Sequence, residues 1–142
     1  MSRIFWDTNV FIYLFEDHPI HHREVVNLRT KMVHRGDELI TSWMTVGEVQ
    51  VESPRKSKGE DYRRYRDAIV QVSRVLGFGE EASEQYRIVR GTTSVRGPDA
   101  IQLACAAAAG VEIFVTNDKR LQGVRVPGIH FIASIAAAEA LL

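Results

Sequence analysis

Residues Ile4-Phe5-Trp6 form an apolar run that ends in Asp7, and a second apolar run, Val10-Phe11-Ile12-Tyr13, starts straight after Thr8-Asn9. The first has the length and composition of a buried strand and the second of a helix, so one carboxylate sits at a strand-to-helix junction. In open α/β sheets ligands bind outside the carboxyl ends of the strands, near the point where the strand order reverses. The junction therefore constrains both the fold and the place of any chemistry.

The alternation continues along the chain. A helix over Ile20 to Arg35 is stopped by Gly36, Leu39-Ile40-Thr41 reads as a second strand, and Ser42 to Thr45 leads into a helix over Val46 to Glu52. After the basic linker Arg55 to Gly59 come a long helix, Glu60 to Arg74, a third strand, Val75 to Phe78, and a helix over Glu80 to Arg90. Residues Thr92 to Gly97 have loop composition, and Pro98 suits the first position of a helix that continues to Gly110. Val111 to Thr116 is the fourth strand with Asn117-Asp118 as its turn, Ile129 to Ile132 the fifth, and Ser134 opens a terminal helix. Strands alternating with helices predict a three-layer α/β/α sandwich with a mostly parallel sheet.

At 142 residues with 45% hydrophobic content, a single domain over 1–142 builds its core without a metal or disulfide staple. Zero formal net charge removes any whole-molecule field toward nucleic acid or membranes, so such a partner must be read by a local patch. The one cysteine, Cys105, excludes an intrachain disulfide framework and suits a reducing cytoplasm. No signal peptide is expected, and the longest low-polarity stretch, Ala100 to Val111, falls short of the roughly 20 apolar residues needed to cross a bilayer. A cytoplasmic protein without a membrane partner is the expectation.

In a parallel sheet the chain leaves every strand at the carboxyl edge and returns by a helix to the amino edge. That rule places Asp7 at the end of strand one, Glu48 in the first turn of the helix leaving strand two, Asp99 at the start of the helix feeding strand four, and Asp118 directly after strand four. Gathered in one crevice, four carboxylates push one another's pKa upward unless a counter-charge intervenes. Hard oxygen ligands without His or Cys suit Mg²⁺ or Mn²⁺, ions that activate water for in-line displacement at phosphorus. The chemistry implied is phosphodiester hydrolysis. Each acid also has a bland role: Asp7 or Asn9 as a cap, Glu48 within a Thr45-to-Glu48 capping box, Asp99 against the helix dipole, Asp118 in a turn.

The chain resembles the PIN-domain ribonucleases, and within them the VapC-type toxins of toxin–antitoxin pairs. The resemblance rests on Phe5-Trp6-Asp7-Thr8-Asn9-Val10, the Glu48 segment, Pro98-Asp99-Ala100-Ile101-Gln102-Leu103-Ala104 and Val115-Thr116-Asn117-Asp118, and covers nearly the whole length. It implies a five-stranded parallel sheet in the order 3-2-1-4-5 and metal-dependent cleavage of RNA that leaves a 5′-phosphate. It also implies a cognate antitoxin in the active-site groove, and a homodimer. Asp7, Asp99 and Asp118 would hold the metal directly, Glu48 would hold it or orient the attacking water, and Asn9 and Thr116 would support them. Some relatives carry a further acid after the last aspartate, whereas Lys119, Arg120 and Leu121 follow here, which weakens the ground for a second metal.

Arg55, Lys56 and Lys58, with Arg63, Arg64 and Arg66, form a candidate phosphate-tracking patch, its alternative being a solvated helix face. Arg96, just before Asp99, is the better candidate for touching substrate. His18, His21 and His22 read as a polar helix start rather than a zinc site, and Cys105 as a small buried apolar residue. Two other functions compete with the nuclease: a catalytically weak RNA- or partner-binding PIN-like module, and a phosphotransfer domain with Asp7 as nucleophile. The amide of Asn9, where a second acid would be needed, disfavours the last.

Overall fold

The computed structural model describes residues 1–52 and 61–142, so the basic stretch holding Arg55, Lys56 and Lys58 lies outside the described residues. Strand β1 (Arg3–Trp6) passes through Asp7 into helix α1 (Thr8–Phe15), followed by α2 (His21–Arg35), β2 (Glu38–Ser42), α3 (Trp43–Glu52) and α4 (Asp61–Val72). Then come β3 (Arg74–Leu76), α5 (Glu80–Thr92), α6 (Gly97–Ala109), β4 (Ile113–Val115), α7 (Lys119–Gln122), β5 (Phe131–Ala133) and α8 (Ile135–Leu141). The strands form one five-stranded sheet in the order β3-β2-β1-β4-β5, every neighbouring pair parallel. The expected topology is therefore the observed one.

Central position explains the composition of β1. Ile4, Phe5 and Trp6 are all fully buried because a central parallel strand is covered on both faces. Ile4 and Trp6 point to one side, into a core shared with α1, α2, α3, α8 and Ile69 of α4. Phe5 points to the other, stacking on Phe114 of β4 at 4.9 Å and joining Leu103 and Ala106 of α6 and Val89 of α5. Two cores on opposite faces of one sheet make the three layers, and burial of each large side chain contributes on the order of 1.5–3 kcal/mol.

Helix boundaries differ from the sequence expectation where capping decides them. Helix α1 begins at Thr8, before Asn9, because Asp7 is its N-cap and accepts from the Thr8 amide. Helix α3 begins at Trp43, so Thr45 to Glu48 lie inside it and form no capping box; Ser42 Oγ instead accepts from the Thr45 amide at 3.4 Å. Helix α5 runs through Gly91 to Thr92, and the hydroxyls of Thr92 and Thr93 donate to the carbonyls of Ile88 and Val89, each at 2.7 Å. The one-turn α7, capped by Asp118, replaces the expected simple turn.

Among the described glycines, Gly128, between α7 and β5, leaves the least room for a Cβ. Its φ is 95°, and a Cβ there would stand 2.8 Å from the carbonyl oxygen of Ala107 on α6. Gly128→Ala is expected to cost about 2–3 kcal/mol, combining left-handed strain with overpacking, whereas Gly123→Ala, with open space around it and φ −92°, is expected to be near neutral. Urea denaturation of the two variants checks the contrast.

Candidate active site

The parallel sheet delivers the ends of β1, β2 and β4 to one edge, and Asp7 stands at its middle. Asp7 is only 6% exposed. Its Oδ1 accepts from the Thr8 amide at 2.8 Å and its Oδ2 from the Thr116 hydroxyl at 2.8 Å. Burial nevertheless pushes its carboxyl up to about 6; the two hydrogen bonds oppose this, while the charges of Asp99 and Glu48 add to it.

Asn9 and Thr116 tie Asp7 to the segment after β4. The Asn9 side-chain oxygen accepts from the Asn117 amide at 3.1 Å, and its Nδ2 lies 3.5 Å from both Asp7 Oδ2 and Thr116 Oγ1. Thr116 Oγ1 in turn accepts from the Asp118 amide at 3.0 Å. The turn is held further by Asn117 Nδ2 donating to the Tyr13 hydroxyl at 2.8 Å.

On the other side, the Thr8 hydroxyl donates to Glu48 Oε1 at 2.7 Å. Burial raises the Glu48 carboxyl, with the charges of Glu52 and Asp99 adding to the rise and the Thr8 bond opposing it. Beneath lies a residue that sequence reasoning did not single out. Gln102 of α6 is 1% exposed; its Nε2 donates to Thr45 Oγ1 at 2.6 Å and lies 3.5 Å from Asp7 Oδ1, while its Oε1 accepts from the Ser42 hydroxyl. The signal available was spacing: Gln102 follows Asp99 by three residues, on the same helical face, in a helix otherwise made of apolar residues.

Asp99, in the first turn of α6, and Asp118, the N-cap of α7, meet through Arg120. The guanidinium donates to Asp118 Oδ1 at 3.1 Å and Oδ2 at 2.7 Å, and its Nη2 stands 3.8 Å from Asp99 Oδ2. Asp118 is accordingly held low, first by its bond with Arg120. Asp99 is raised by burial and by the charge of Asp118, against the pull of Arg120.

All four acids lie at this edge; Asp7 feels the charges of Asp99 and Glu48, Glu48 that of Asp99, and Asp99 that of Asp118. They do not close on a single point: among the described residues no three or more His, Cys, Asp or Glu form a group that could hold a metal ion. The reason is local, since Glu48 is turned to the Thr8 hydroxyl and Asp118 to Arg120. As a donor set the acids still suit a hard divalent cation, being oxygen ligands of which Asp7, Glu48 and Asp99 are raised first by burial and then by the charges of neighbouring acids. Arg96 is exposed at the N-cap of α6 without a side-chain capping bond. His18 serves the start of α2, its Nδ1 accepting from the amides of Ile20 and His21. Cys105 is buried, with its thiol pushed up to about 11 by desolvation.

The sequence pattern that defines the PIN domain matches residues 4–127. No curated protein matches the chain by sequence. Among solved structures, VapBC2 from Rickettsia felis bound to a DNA fragment from their promoter superposes with a TM-score of 0.72 at 17% identity, over 93% of this chain and 98% of that one. A toxin–antitoxin complex from Klebsiella pneumoniae gives 0.63 at 25% identity, over 89% and 94%. The Sarcin-Ricin loop cleaving toxin VapC20 of Mycobacterium tuberculosis gives 0.59 at 20% identity, over 78% and 86%.

Proposed function

The chain belongs to the PIN domain family, and from that premise we propose that it is a Mg²⁺- or Mn²⁺-dependent endoribonuclease, the toxin of a VapBC-type pair. The observation that carries the reading is Asp7, a carboxylate desolvated beside Glu48 and Asp99 with its pKa raised to about 6. Capping explains why an acid stands at position 7 and another at 118, because each does accept a helix-start amide. Capping does not explain burial of repelling carboxylates, which costs about 1.4 kcal/mol per unit of pKa shift. A bound cation removes that cost.

Asp7, Asp99 and Asp118 would hold the ion, which would polarise the scissile phosphate and lower the pKa of the attacking water. Glu48 would complete the ligand set or orient that water, and its raised pKa suits it to take the water's proton. The new P–O bond would form as the bond to the 3′ oxygen breaks in line, leaving a 5′-phosphate, and the departing 3′ oxygen would take a proton from solvent to become the 3′-hydroxyl. Thr116, Asn9, Thr8 and Gln102 act as positioning residues, holding Asp7 and Glu48 by the hydrogen bonds described. Partners on this reading are RNA, a cognate antitoxin lying in the groove, and a second copy of the chain, in the cytoplasm. No helix among the described residues is long and apolar enough to cross a membrane.

One observation favours a second reading, a catalytically weak RNA- or partner-binding module: Arg120 already neutralises Asp118 and approaches Asp99. Its side chain is 82% exposed, however, and solvent screens exposed pairs, so a divalent ion displaces it readily. Arg120→Ala is expected to tighten Mn²⁺ binding about two- to fivefold in titration calorimetry; weaker binding would show that Arg120 supports the site instead. The readings are separated by incubating the chain, freed of any partner, with single-stranded RNA in Mn²⁺. Cleavage that stops with chelator and yields 5′-phosphate ends supports the nuclease; intact RNA leaves the binding module.

A further inference from the structure

Beside the acids, an apolar groove of 590 Å³ opens at the same carboxyl edge, lined by Trp43, Met44, Leu76, Phe78, Tyr86 and Ile101. Ser42 stands in the same lining, and its hydroxyl bonds to the Gln102 side chain that reaches Asp7. The groove and the acidic site therefore lie at the same edge and share a wall, the buried side chains of Ser42 and Gln102. Trp43 is 48% exposed and Phe78 49% exposed, unusual for rings of that size in a chain whose other tryptophan, Trp6, is fully buried. Each side of the groove pairs an aromatic ring with a cation. The Arg66 guanidinium lies over the Trp43 ring at 6.0 Å, and that of Arg90 over Tyr86 at 5.8 Å.

We propose that this groove holds a nucleobase of the RNA strand next to the scissile phosphate, stacked on Trp43 beneath the guanidinium of Arg66. The proposal rests on the nuclease reading for its substrate. Exposed aromatic faces interleaved with arginines are what a flexible single strand uses: the π-face of any base stacks, and the cation meets the adjoining phosphate. Charge complementarity selects this occupant over an apolar peptide, which would find its path flanked by two guanidiniums. It also answers a problem left by the composition. A chain with no net charge lacks a long-range pull on RNA, and the acids repel the backbone, so a local stacking platform supplies the hold.

The two tryptophans allow a direct test, because a base stacked on Trp43 quenches its emission while buried Trp6 stays as an internal reference. A single-stranded hexa-adenylate titrated in chelator, where no cleavage occurs, is expected to quench the wild type saturably. In anisotropy, Trp43→Ala is expected to weaken binding about tenfold, and Trp43→Phe, which keeps a flat ring, to retain most of the affinity. With Mn²⁺, Trp43→Ala is expected to raise KM with little change in kcat. RNA cleavage by the wild type with unchanged KM in Trp43→Ala, and no quenching, overturns the base site and leaves the nuclease standing. Saturable quenching without any cleavage supports the base site and overturns the nuclease. Quenching only on addition of a protein partner assigns the groove to a peptide and overturns the proposal.

Discussion

Asp7→Asn is expected to abolish RNA cleavage and, at neutral pH, to make the metal-free protein more stable than the wild type. The first effect follows from removing the central ligand, which forfeits several kcal/mol of charge stabilisation, about 10³-fold or more in kcat/KM. The second follows from linkage. Asp7 rises from 3.8 to about 6 in the folded chain, chiefly through burial. A carboxyl whose folded pKa is raised binds its proton more tightly in the native state. Its favourable contribution is present below the unfolded pKa near 4 and is lost as pH rises through about 6. At pH 7.5 the shift of roughly two units corresponds to about 3 kcal/mol of destabilisation.

Asn carries no charge to bury, keeps an oxygen to accept from the Thr8 amide, and is itself a good N-cap. The melting temperature of the metal-free variant should therefore rise at pH 7.5 by roughly 5 °C or more, with the gain shrinking toward pH 4. Mn²⁺ should stabilise the wild type at pH 7.5 more than at pH 5 and leave Asp7→Asn unmoved. Thermal denaturation across that pH range checks all three. A variant that is less stable at neutral pH would show that Asp7 is a structural cap alone. On the proposed reading, stability is given up for function at a site that must hold charge.

Gln102→Leu is the second large effect, and it acts on the frame rather than on the ligands. The substitution is apolar and of similar size, so it fills the space but leaves the Ser42 and Thr45 hydroxyls without their partner in a buried setting. A buried polar group left unsatisfied costs about 1–3 kcal/mol, so the variant should lose about 3 kcal/mol in urea denaturation. Thr8, 3.4 Å from Gln102 Nε2, holds Glu48, and activity should fall in the fraction that remains folded. A loss below about 0.5 kcal/mol would mean that ordered water replaces the amide.

These two residues mark what the sequence makes legible and what it does not. Asp7 is readable because Ile4-Phe5-Trp6 has the length and composition of a buried strand, and the parallel-sheet rule then sends the residues after such a strand to one edge. The same rule placed Glu48, Asp99 and Asp118. Gln102 is not readable in this way, because its importance comes from α6 packing against β2 and α3, a tertiary fact with only a three-residue spacing as its trace. Helix starts at Thr8 and Trp43 were missed because Asp7 and Ser42 take cap positions ahead of the apolar periodicity. Helix α7 was missed because Lys119-Arg120-Leu121-Gln122 is too short to show a period. How far the acids converge depends on rotamers, and so on the hydroxyl of Thr8 and the guanidinium of Arg120, which no spacing rule contains. The roles proposed for Arg55 and Lys56 fall outside the described residues.

The most direct measurement is a crystal structure grown with Mn²⁺, examined at the manganese absorption edge. An anomalous peak at bonding distance from carboxylate oxygens of Asp7 and Asp99, with Asp118 turned away from Arg120 toward the ion, is the expected result. No peak at the carboxyl edge, or one bound elsewhere while Asp118 stays clamped by Arg120, would contradict a metal-dependent nuclease built from these four acids.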